Sequence, residues 1–223
     1  MRLWRAIVPF RAADDDGAGA KTRLAARLDT KARAALAIAM AQHVLETLAR
    51  CPSIGSIGVL APTRPAFAPA DTDWIADHGR GLNAELSVAM ALRGDAHLVT
   101  IHADLPLLGA DDIAALLDAA LSAGAAIAPD CSRTGTNALA LSDAGGLRPA
   151  FGPDSFALHR ALLPRAAVVD RPGLALDIDT PEDLDRAIAA GLVVGHQTWI
   201  TTPLPSAPDR GPRSRPVDLP ARR

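Results

Sequence analysis

The chain has 223 residues, of which 49% are hydrophobic, and a formal net charge of −2. A chain of this size can bury one sizeable core, so we expect a single domain. No apolar run approaches the roughly 18 residues that a membrane span requires, and the apolar run at the N-terminus is short for a signal peptide. A near-neutral charge and 3% aromatic residues argue against nucleic acid as a partner. We therefore expect a cytoplasmic protein with no membrane partner; the sequence does not specify the oligomeric state and leaves a homodimer open.

Short apolar runs alternate with longer helix-forming segments along most of the chain. The predicted strands are residues 3–8, 56–61, 97–103, 125–129, 136–141, 166–169 and 174–178. The predicted helices are residues 31–50 with Thr30 as cap, 83–93, 110–123, 154–163, and a last helix from Thr180 to about Gly191. This alternation predicts an α/β fold: a single Rossmann-like domain with a mostly parallel central sheet and helices on both faces.

Two segments lack a regular pattern. Residues 61–77 contain three prolines and no clear periodicity, which predicts an irregular passage at the edge of the sheet. Residues 201–223 are rich in proline and arginine without apolar periodicity, which predicts a disordered tail. The predicted domain organisation is therefore a globular domain at residues 1–200 and a tail at residues 201–223.

Acidic residues lie at the ends of two of the predicted strands. Asp104 comes directly after the apolar run at residues 97–103, and Asp177 and Asp179 precede the helix that begins after Thr180. Ligands of open parallel sheets bind beyond the carboxyl ends of the strands, and carboxylate oxygens suit Mg²⁺. These aspartates are therefore candidate metal ligands. The alternative is that Asp104 and Asp179 cap loops.

A loop of small residues follows the first predicted strand and ends in Lys21. Glycine and alanine at residues 17–20 would let main-chain amides approach an anion, while Arg11, Lys21 and Arg23 could neutralise a triphosphate. The loop is not a Walker A motif, because Ala20 stands where that motif has glycine before the lysine. The alternative is a flexible surface loop.

Three further stretches carry candidate binding residues. Thr136 lies in a polar turn that could bind phosphate or carboxylate, or could serve only as a hydrogen-bonded turn. Gly152 and Ser155 precede a predicted helix, whose free amides attract anions, although a plain helix cap would use the same residues. Gly81 and Asn83 could contact the base or ribose of a nucleotide, or could form a turn with a helix cap.

Three motifs are specific as a set: RTGTNAL at residues 133–139, FGPDSF at 151–156 followed by His159, and LALDIDTPEDL at 174–184. With them the chain resembles, over about residues 3–192, the 2-phospho-L-lactate guanylyltransferase family, whose fold is similar to that of the nucleotide-diphospho-sugar transferases. The resemblance implies transfer of GMP from GTP to a small phosphorylated carboxylic acid, with release of pyrophosphate, in the biosynthesis of the deazaflavin coenzyme F-420. The acceptor would be phosphoenolpyruvate, 3-phosphoglycerate or 2-phospho-L-lactate.

The resemblance also implies roles for single residues. Mg²⁺ would be held by Asp104 and Asp177, with Asp179 as a further candidate ligand. The acceptor would contact a set of three residues, and the nucleotide a set of four: Thr136, Gly152 and Ser155; and Arg11, Lys21, Gly81 and Asn83.

The acceptor's own phosphate would be the nucleophile, so the reaction would need alignment and charge neutralisation rather than an activated side chain. Asp104, through its metal, and Lys21 and Arg23, at the departing pyrophosphate, would then be the catalytic residues. The chain departs from the family at Arg11, where a lysine is common, and at Arg80, where a second glycine is common.

Two other functions remain open at this point. A nucleotidyltransferase of molybdenum-cofactor biosynthesis would share the fold and the aspartate at the strand end, but it would be expected to have a glycine-rich LAGG-type loop. A non-catalytic GTP-binding regulator of the same fold would bind GTP without releasing pyrophosphate. Guanylyl transfer would in addition require a downstream transferase that accepts the product.

Overall fold

A seven-stranded sheet forms the centre of the computed structural model, which describes residues 2–11, 21–92, 96–143, 147–194 and 199–200. Its strands are β1 (Trp4–Pro9), β2 (Ile54–Ala61), β3 (Asp73–Ala76), β4 (His97–Ile101), β5 (Ala125–Pro129), β6 (Thr136–Leu141) and β7 (Ala167–Val168). They lie in the order β3-β2-β1-β4-β6-β5-β7. Strand β6 is antiparallel to both of its neighbours, and the other adjacent strands are parallel. A small separate sheet pairs β8 (Val193–Val194) with β9 (Trp199–Ile200).

Helices connect most of these strands. They are a 3-10 helix (Thr22–Ala26), α1 (Thr30–Ala49), α2 (Leu82–Ala91), α3 (Ala110–Ala123), α4 (Ser155–Leu162), α5 (Pro172–Ala175) and α6 (Pro181–Ala189). Within the described residues, none is long and apolar enough to cross a membrane. The predicted small-residue loop at residues 17–20 and the predicted tail at residues 201–223 lie outside the described residues.

The sheet buries alternate side chains on its two faces, because successive residues of a strand point in opposite directions. In β1, Ala6 and Val8 join a core with α1 and α3, whereas Ile7 joins a second core that includes Leu86 of α2. A third cluster, which includes Leu184, packs α6 against the 3-10 helix and α1. The predicted α/β class, with a mostly parallel sheet covered on both faces, is confirmed.

Two elements near the sheet edges differ from the sequence prediction. Residues 61–77 were predicted to be irregular, yet they contain β3, which pairs in parallel with β2. The three prolines of this segment all precede β3, so they do not interrupt its hydrogen bonds. The cap of α1 is Asp29 rather than Thr30, since the carboxylate of Asp29 accepts a hydrogen bond from the N–H of Ala32 at 2.7 Å.

The prediction of a strand at residues 174–178 is wrong. The chain forms the short helix α5 and then continues without regular structure to Asp179. The side-chain amide of Asn137 donates to the carbonyls of Leu174 and Ala175 at 3.1 Å each. The Asn137 side chain thus holds this segment in place through main-chain carbonyls that would otherwise bond to a neighbouring strand.

The end of β4 and the beginning of β6 lie at the same edge of the sheet. The N–H of His102 donates to the carbonyl of Asn137 at 2.9 Å, which extends the pairing of β4 with β6. Thr136 therefore lies level with the residue before Asp104. The N–H of Ile178 donates to the carbonyl of Asp104 at 3.4 Å. The edge thus brings Asp104, the beginning of β6 and the segment after α5 together.

We expect Gly173→Ala to destabilise the protein by about 1–3 kcal/mol, because no space exists for a methyl group there. A Cβ at Gly173 would overlap Asp112 Oδ2 and would lie 2.6 Å from the carbonyl oxygen of Leu107. Denaturant unfolding measures the loss. The matched control is Gly109→Ala, whose Cβ would lie 3.3 Å from the same Asp112 oxygen and should cost less than about 1 kcal/mol. Equal losses in the two variants would contradict this account.

Candidate functional site

Three carboxylates meet at the edge where β4 ends. Ligand atoms of Asp104, Asp177 and Asp179 all lie within 4.8 Å of one another. Leu176 and Ile178 are buried, and the aspartates alternate with them along the extended segment after α5. This alternation places Asp177 and Asp179 on the same side of the chain, toward Asp104. The structure therefore brings together all three residues that the sequence predicted as metal ligands.

Lys21 supplies positive charge to this acidic cluster. Its Nζ atom lies 2.6 Å from Asp104 Oδ2 and 2.7 Å from Asp179 Oδ1, and its side chain is only 11% exposed. Burial disfavours the ammonium, but the carboxylates of Asp104 and Asp179 outweigh burial and raise the pKa of Lys21 above its usual range. The main chain of Lys21 is left-handed, with φ 57°. Lys21 is thus a fixed cation that bridges two of the three carboxylates.

The cluster retains capacity for a further cation. Among the described residues, Asp104 Oδ1 is buried without a hydrogen-bond partner. Burial would raise the pKa of Asp104, but the charges of Lys21 and His102 hold that pKa below its usual value. Burial raises the pKa of Asp177 to about 6, and the charges of Asp104 and Asp179 act in the same direction. A buried oxygen without a partner and crowded hard-oxygen ligands fit a divalent cation such as Mg²⁺.

A cavity of about 410 Å³ extends from the acidic cluster toward the beginning of α2. Its walls include Lys21 and Asp104 at one end, and Arg11, Asp77 and Gly81. The Arg11 guanidinium donates to Asp77 Oδ2 at 3.0 Å. The volume lies within the range of small-ligand sites. The cavity therefore brings together Arg11, Lys21 and Gly81, three of the four residues that the sequence predicts at the nucleotide.

Two other residues predicted at the nucleotide, Asn83 and Arg23, are not among the residues that line this cavity. Asn83 is hydrogen-bonded through both side-chain atoms to the main chain of Phe151, at 2.8 Å each. Arg23 is exposed on the 3-10 helix. Arg80, the second departure from the family pattern, pairs with the buried carboxylate of Glu85 at 2.7 Å and lines a pocket other than the cavity that Gly81 lines.

The residues predicted at the acceptor surround the beginning of β6. Thr136 and Ser155 are buried, and the N–H of Ser155 donates to the carbonyl of Gly152 at 3.1 Å. Gly152 has φ 123°, a conformation that side chains disfavour, so glycine suits this turn. His159 of α4 contacts Thr136, with 2.9 Å between Nδ1 and Oγ1. The structure thus groups Thr136, Gly152 and Ser155 beside the edge that carries Asp104.

Sequence reasoning missed two side chains that line the same cavity, His102 and Asp77. The His102 ring packs against Phe151 in a tilted arrangement with 5.3 Å between ring centroids, and among the described residues its buried Nε2 atom has no hydrogen-bond partner. Its position two residues before Asp104, in the same predicted strand, is the sequence feature that could have indicated a place in the site. Asp77 follows β3, and that strand went unrecognised.

Comparison with known proteins identifies the family. Residues 4–199 match the family described as guanylyl transferase CofC like. The chain belongs to this family. Its CofC-like sequence is 39% identical over 197 residues to a phosphoenolpyruvate guanylyltransferase of Rubrobacter xylanophilus, covering 83% of this chain and 94% of the relative. It is 38% identical over 187 residues to a protein of the same name from Nocardia farcinica, covering 77% and 81%.

Solved structures agree on the fold of this CofC-like protein. A Desulfovibrio desulfuricans G20 protein assigned to the nucleotide-diphospho-sugar transferases superposes with a TM-score of 0.65 at 18% identity, covering 83% of this chain and 86% of that protein. A 4-diphosphocytidyl-2C-methyl-D-erythritol synthase superposes with a TM-score of 0.54 at 16% identity, covering 83% and 96%. The nucleotidyltransferase-like fold that the sequence predicted is therefore confirmed.

We expect Lys21→Met to lower the free energy of unfolding at pH 7 by about 1–3 kcal/mol, because crowded carboxylates would lose their buried counter-charge. Denaturant unfolding measures the change. The matched control is Arg27→Met, since Arg27 pairs with Asp185 at 2.9 Å where the two side chains are 50% and 55% exposed. Such a surface pair contributes less than about 1 kcal/mol. A Lys21→Met variant as stable as the control would contradict the role of Lys21 as counter-charge.

Acid should destabilise the protein through His159. Burial, with His102 nearby, lowers the pKa of His159 from 6.5 to about 4. Below pH 6.5 the His159 ring is protonated in the unfolded chain, whereas in the folded protein it stays neutral until about pH 4. The free energy of unfolding therefore falls as the pH is lowered across this window. The loss attributable to this ring is on the order of 3 kcal/mol at pH 4. Urea unfolding over this range should give a shallower pH dependence for His159→Gln, and parallel curves would contradict the expectation.

Proposed function

We propose that this protein transfers the guanylyl group of GTP to the phosphate of phosphoenolpyruvate and releases pyrophosphate. Membership of the CofC-like guanylyltransferase family and the names of the relatives support this reaction. The observation that carries the proposal is the cluster of Asp104, Asp177 and Asp179 around Lys21, next to a cavity of nucleotide-binding size. Such a cluster could hold a divalent cation beside the Lys21 ammonium, and the two cations together would neutralise a triphosphate.

The reaction needs alignment more than an activated side chain. An anionic oxygen of the acceptor's phosphate attacks the α-phosphorus of GTP. The bond from this phosphorus to the oxygen that bridges it to the β-phosphorus breaks, and pyrophosphate leaves with the electron pair. Since the attacking oxygen is already ionised at neutral pH, no general base is required. Lys21, together with Arg23 from the exposed side of the 3-10 helix, neutralises the departing pyrophosphate, and Thr136, Gly152 and Ser155 orient the acceptor.

Mg²⁺ is the metal that we propose for the carboxylate cluster. Asp104, Asp177 and Asp179 would hold it, and their oxygen chemistry and the unpartnered Asp104 Oδ1 support the assignment. When bound, the metal would neutralise charge on the triphosphate oxygens. Arg11, Lys21 and Gly81 would contact the nucleotide. For Asn83, whose side chain already bonds to Phe151, we propose an indirect role beside the nucleotide.

The product would join two phosphates in a reactive anhydride, so a downstream transferase that accepts it is part of the proposal. Biosynthesis of coenzyme F-420 is the context that the family resemblance supports. The acceptors 3-phosphoglycerate and 2-phospho-L-lactate share a carboxylate and a phosphate with phosphoenolpyruvate, and therefore they belong in the same test. The GTP-binding regulator is the alternative that this test addresses.

Pyrophosphate release from GTP tests the function directly. The protein is incubated with GTP and Mg²⁺, with each of the three acceptors in turn and with none, and the downstream transferase is present to trap the product. Release that depends on phosphoenolpyruvate is the expected result. Release with another acceptor would correct the substrate, while GTP binding without release in any mixture would favour the regulator.

Asp104→Asn should reduce turnover by a factor on the order of 10² or more, because the cluster would lose one of the three carboxylates that we propose to hold Mg²⁺. Circular dichroism and thermal unfolding should show a folded protein. Asp118→Asn, at an exposed position of α3, serves as the control and should turn over at the wild-type rate. A near-normal rate for Asp104→Asn would remove this residue from the site.

A further inference from the structure

A fully buried histidine lies behind the proposed acceptor site. His159 is 0% exposed, and its ring packs edge-on against Phe151 with 4.8 Å between centroids. Its two ring nitrogens have different partners. Nε2 accepts from the N–H of Ala150 at 3.1 Å, and Nδ1 lies 2.9 Å from Thr136 Oγ1. The ring therefore links α4 to β6 and to the segment that leads to Gly152.

The main-chain partner determines where the proton of the ring lies. The N–H of Ala150 can only donate, so Nε2 must accept and carries no proton. A neutral imidazole then has its proton on Nδ1, where it can only donate to Thr136 Oγ1. Burial holds the pKa of His159 at about 4, and so the ring is neutral at physiological pH.

The same logic extends to the Thr136 hydroxyl. Because Oγ1 accepts from His159, its own proton must point elsewhere. Among the described residues, His159 is the one side-chain partner of this oxygen. Thr136 stands at the beginning of β6, level with the residue before Asp104. Thr136 is 1% exposed, and among the described residues no other group accepts its hydroxyl proton, so this proton remains for a ligand that reaches the beginning of β6.

The segment before Gly152 is fixed by the same ring. His159 holds the N–H of Ala150, and Asn83 of α2 holds both main-chain groups of Phe151 at 2.8 Å each. The turn at Gly152 follows directly. His159 therefore acts on two of the three residues that we propose at the acceptor.

We propose that His159 is a positioning residue for the acceptor: as its Nδ1–H tautomer, it commits the Thr136 hydroxyl to donate to an anionic oxygen of the bound substrate. This inference rests on the proposed function, because it takes the acceptor to bind at Thr136. The hydroxyl selects an oxygen that accepts a hydrogen bond, such as an oxygen of a carboxylate or phosphate group. A group that can only donate is rejected at this point.

A double-mutant cycle tests the proposal with GTP, Mg²⁺ and phosphoenolpyruvate. The variants are Thr136→Val, His159→Phe and the double variant; Thr136→Ser keeps the hydroxyl. Each single change should raise the KM for phosphoenolpyruvate about tenfold or more, as expected for a lost hydrogen bond to a charged group, and should leave the KM for GTP within about twofold. The double variant should be no worse than the weaker-binding single variant, because both changes remove one interaction. Thr136→Ser should bind the acceptor nearly as wild type does.

Multiplying effects in the double variant, or an equal rise in the KM for GTP, would overturn the proposal. His43→Phe is the control for the loss of a buried histidine, since His43 contacts the carbonyl of Leu108 at 2.8 Å in the core. It should lower stability without changing the KM for phosphoenolpyruvate.

The tautomer can be read without kinetics. Nitrogen NMR of ¹⁵N-histidine-labelled wild-type protein between pH 6 and pH 8, assigned with His159→Gln, should show a proton on Nδ1 and none on Nε2. The opposite tautomer, or a doubly protonated ring, would overturn the proposal even if His159→Phe does not fold. A wild-type protein that releases no pyrophosphate with any acceptor would instead refute the proposed function, and the NMR result would still decide the polarity of the His159–Thr136 bond.

Discussion

Crowding of negative charge at one edge of the sheet is the constraint on which this site depends. Three carboxylates with ligand atoms within 4.8 Å of one another repel unless nearby groups compensate them. The fold compensates with the Lys21 ammonium and with the Asn137 amide, which donates to Asp177 Oδ1 at 3.2 Å. A polyphosphate that approaches this edge meets the same repulsion, and so the neighbouring cations decide whether it can bind.

The direction of β6 determines which side chains share that edge. In a wholly parallel sheet, only the ends of strands and the loops after them would reach it. Because β6 is antiparallel to β4 and β5, its first residues arrive there as well. A hydroxyl from Thr136 and an amide from Asn137 therefore stand beside the carboxylates. The same reversal explains how Asn137 can fix the segment that carries Asp177.

The sequence predicted what depends on local pattern and missed what depends on long-range contacts. A short apolar run ending at Asp104 was sufficient to place this residue at the edge of a sheet. Strand β3 was hidden because its pattern is short and follows three prolines, and with it the position of Asp77 was lost. Asn83 was predicted at the nucleotide, but its bonds to Phe151 join residues 68 positions apart, which no spacing rule reveals. Residues 174–178 were predicted as a strand, but Leu174 and Ala175 end α5, and their carbonyls accept hydrogen bonds from the Asn137 side chain rather than from a neighbouring strand.

The left-handed main chain at Lys21 limits which residues can occupy that position. Few side chains other than Asn, Asp and Gly adopt φ 57° without strain, and these three lack a positive charge. A residue that adopts this main-chain conformation easily would therefore leave the carboxylates without a counter-charge. A residue that supplies the counter-charge must adopt a conformation that side chains disfavour. A long cationic side chain therefore matches the charge of the two carboxylates only by adopting a main-chain conformation that most side chains disfavour.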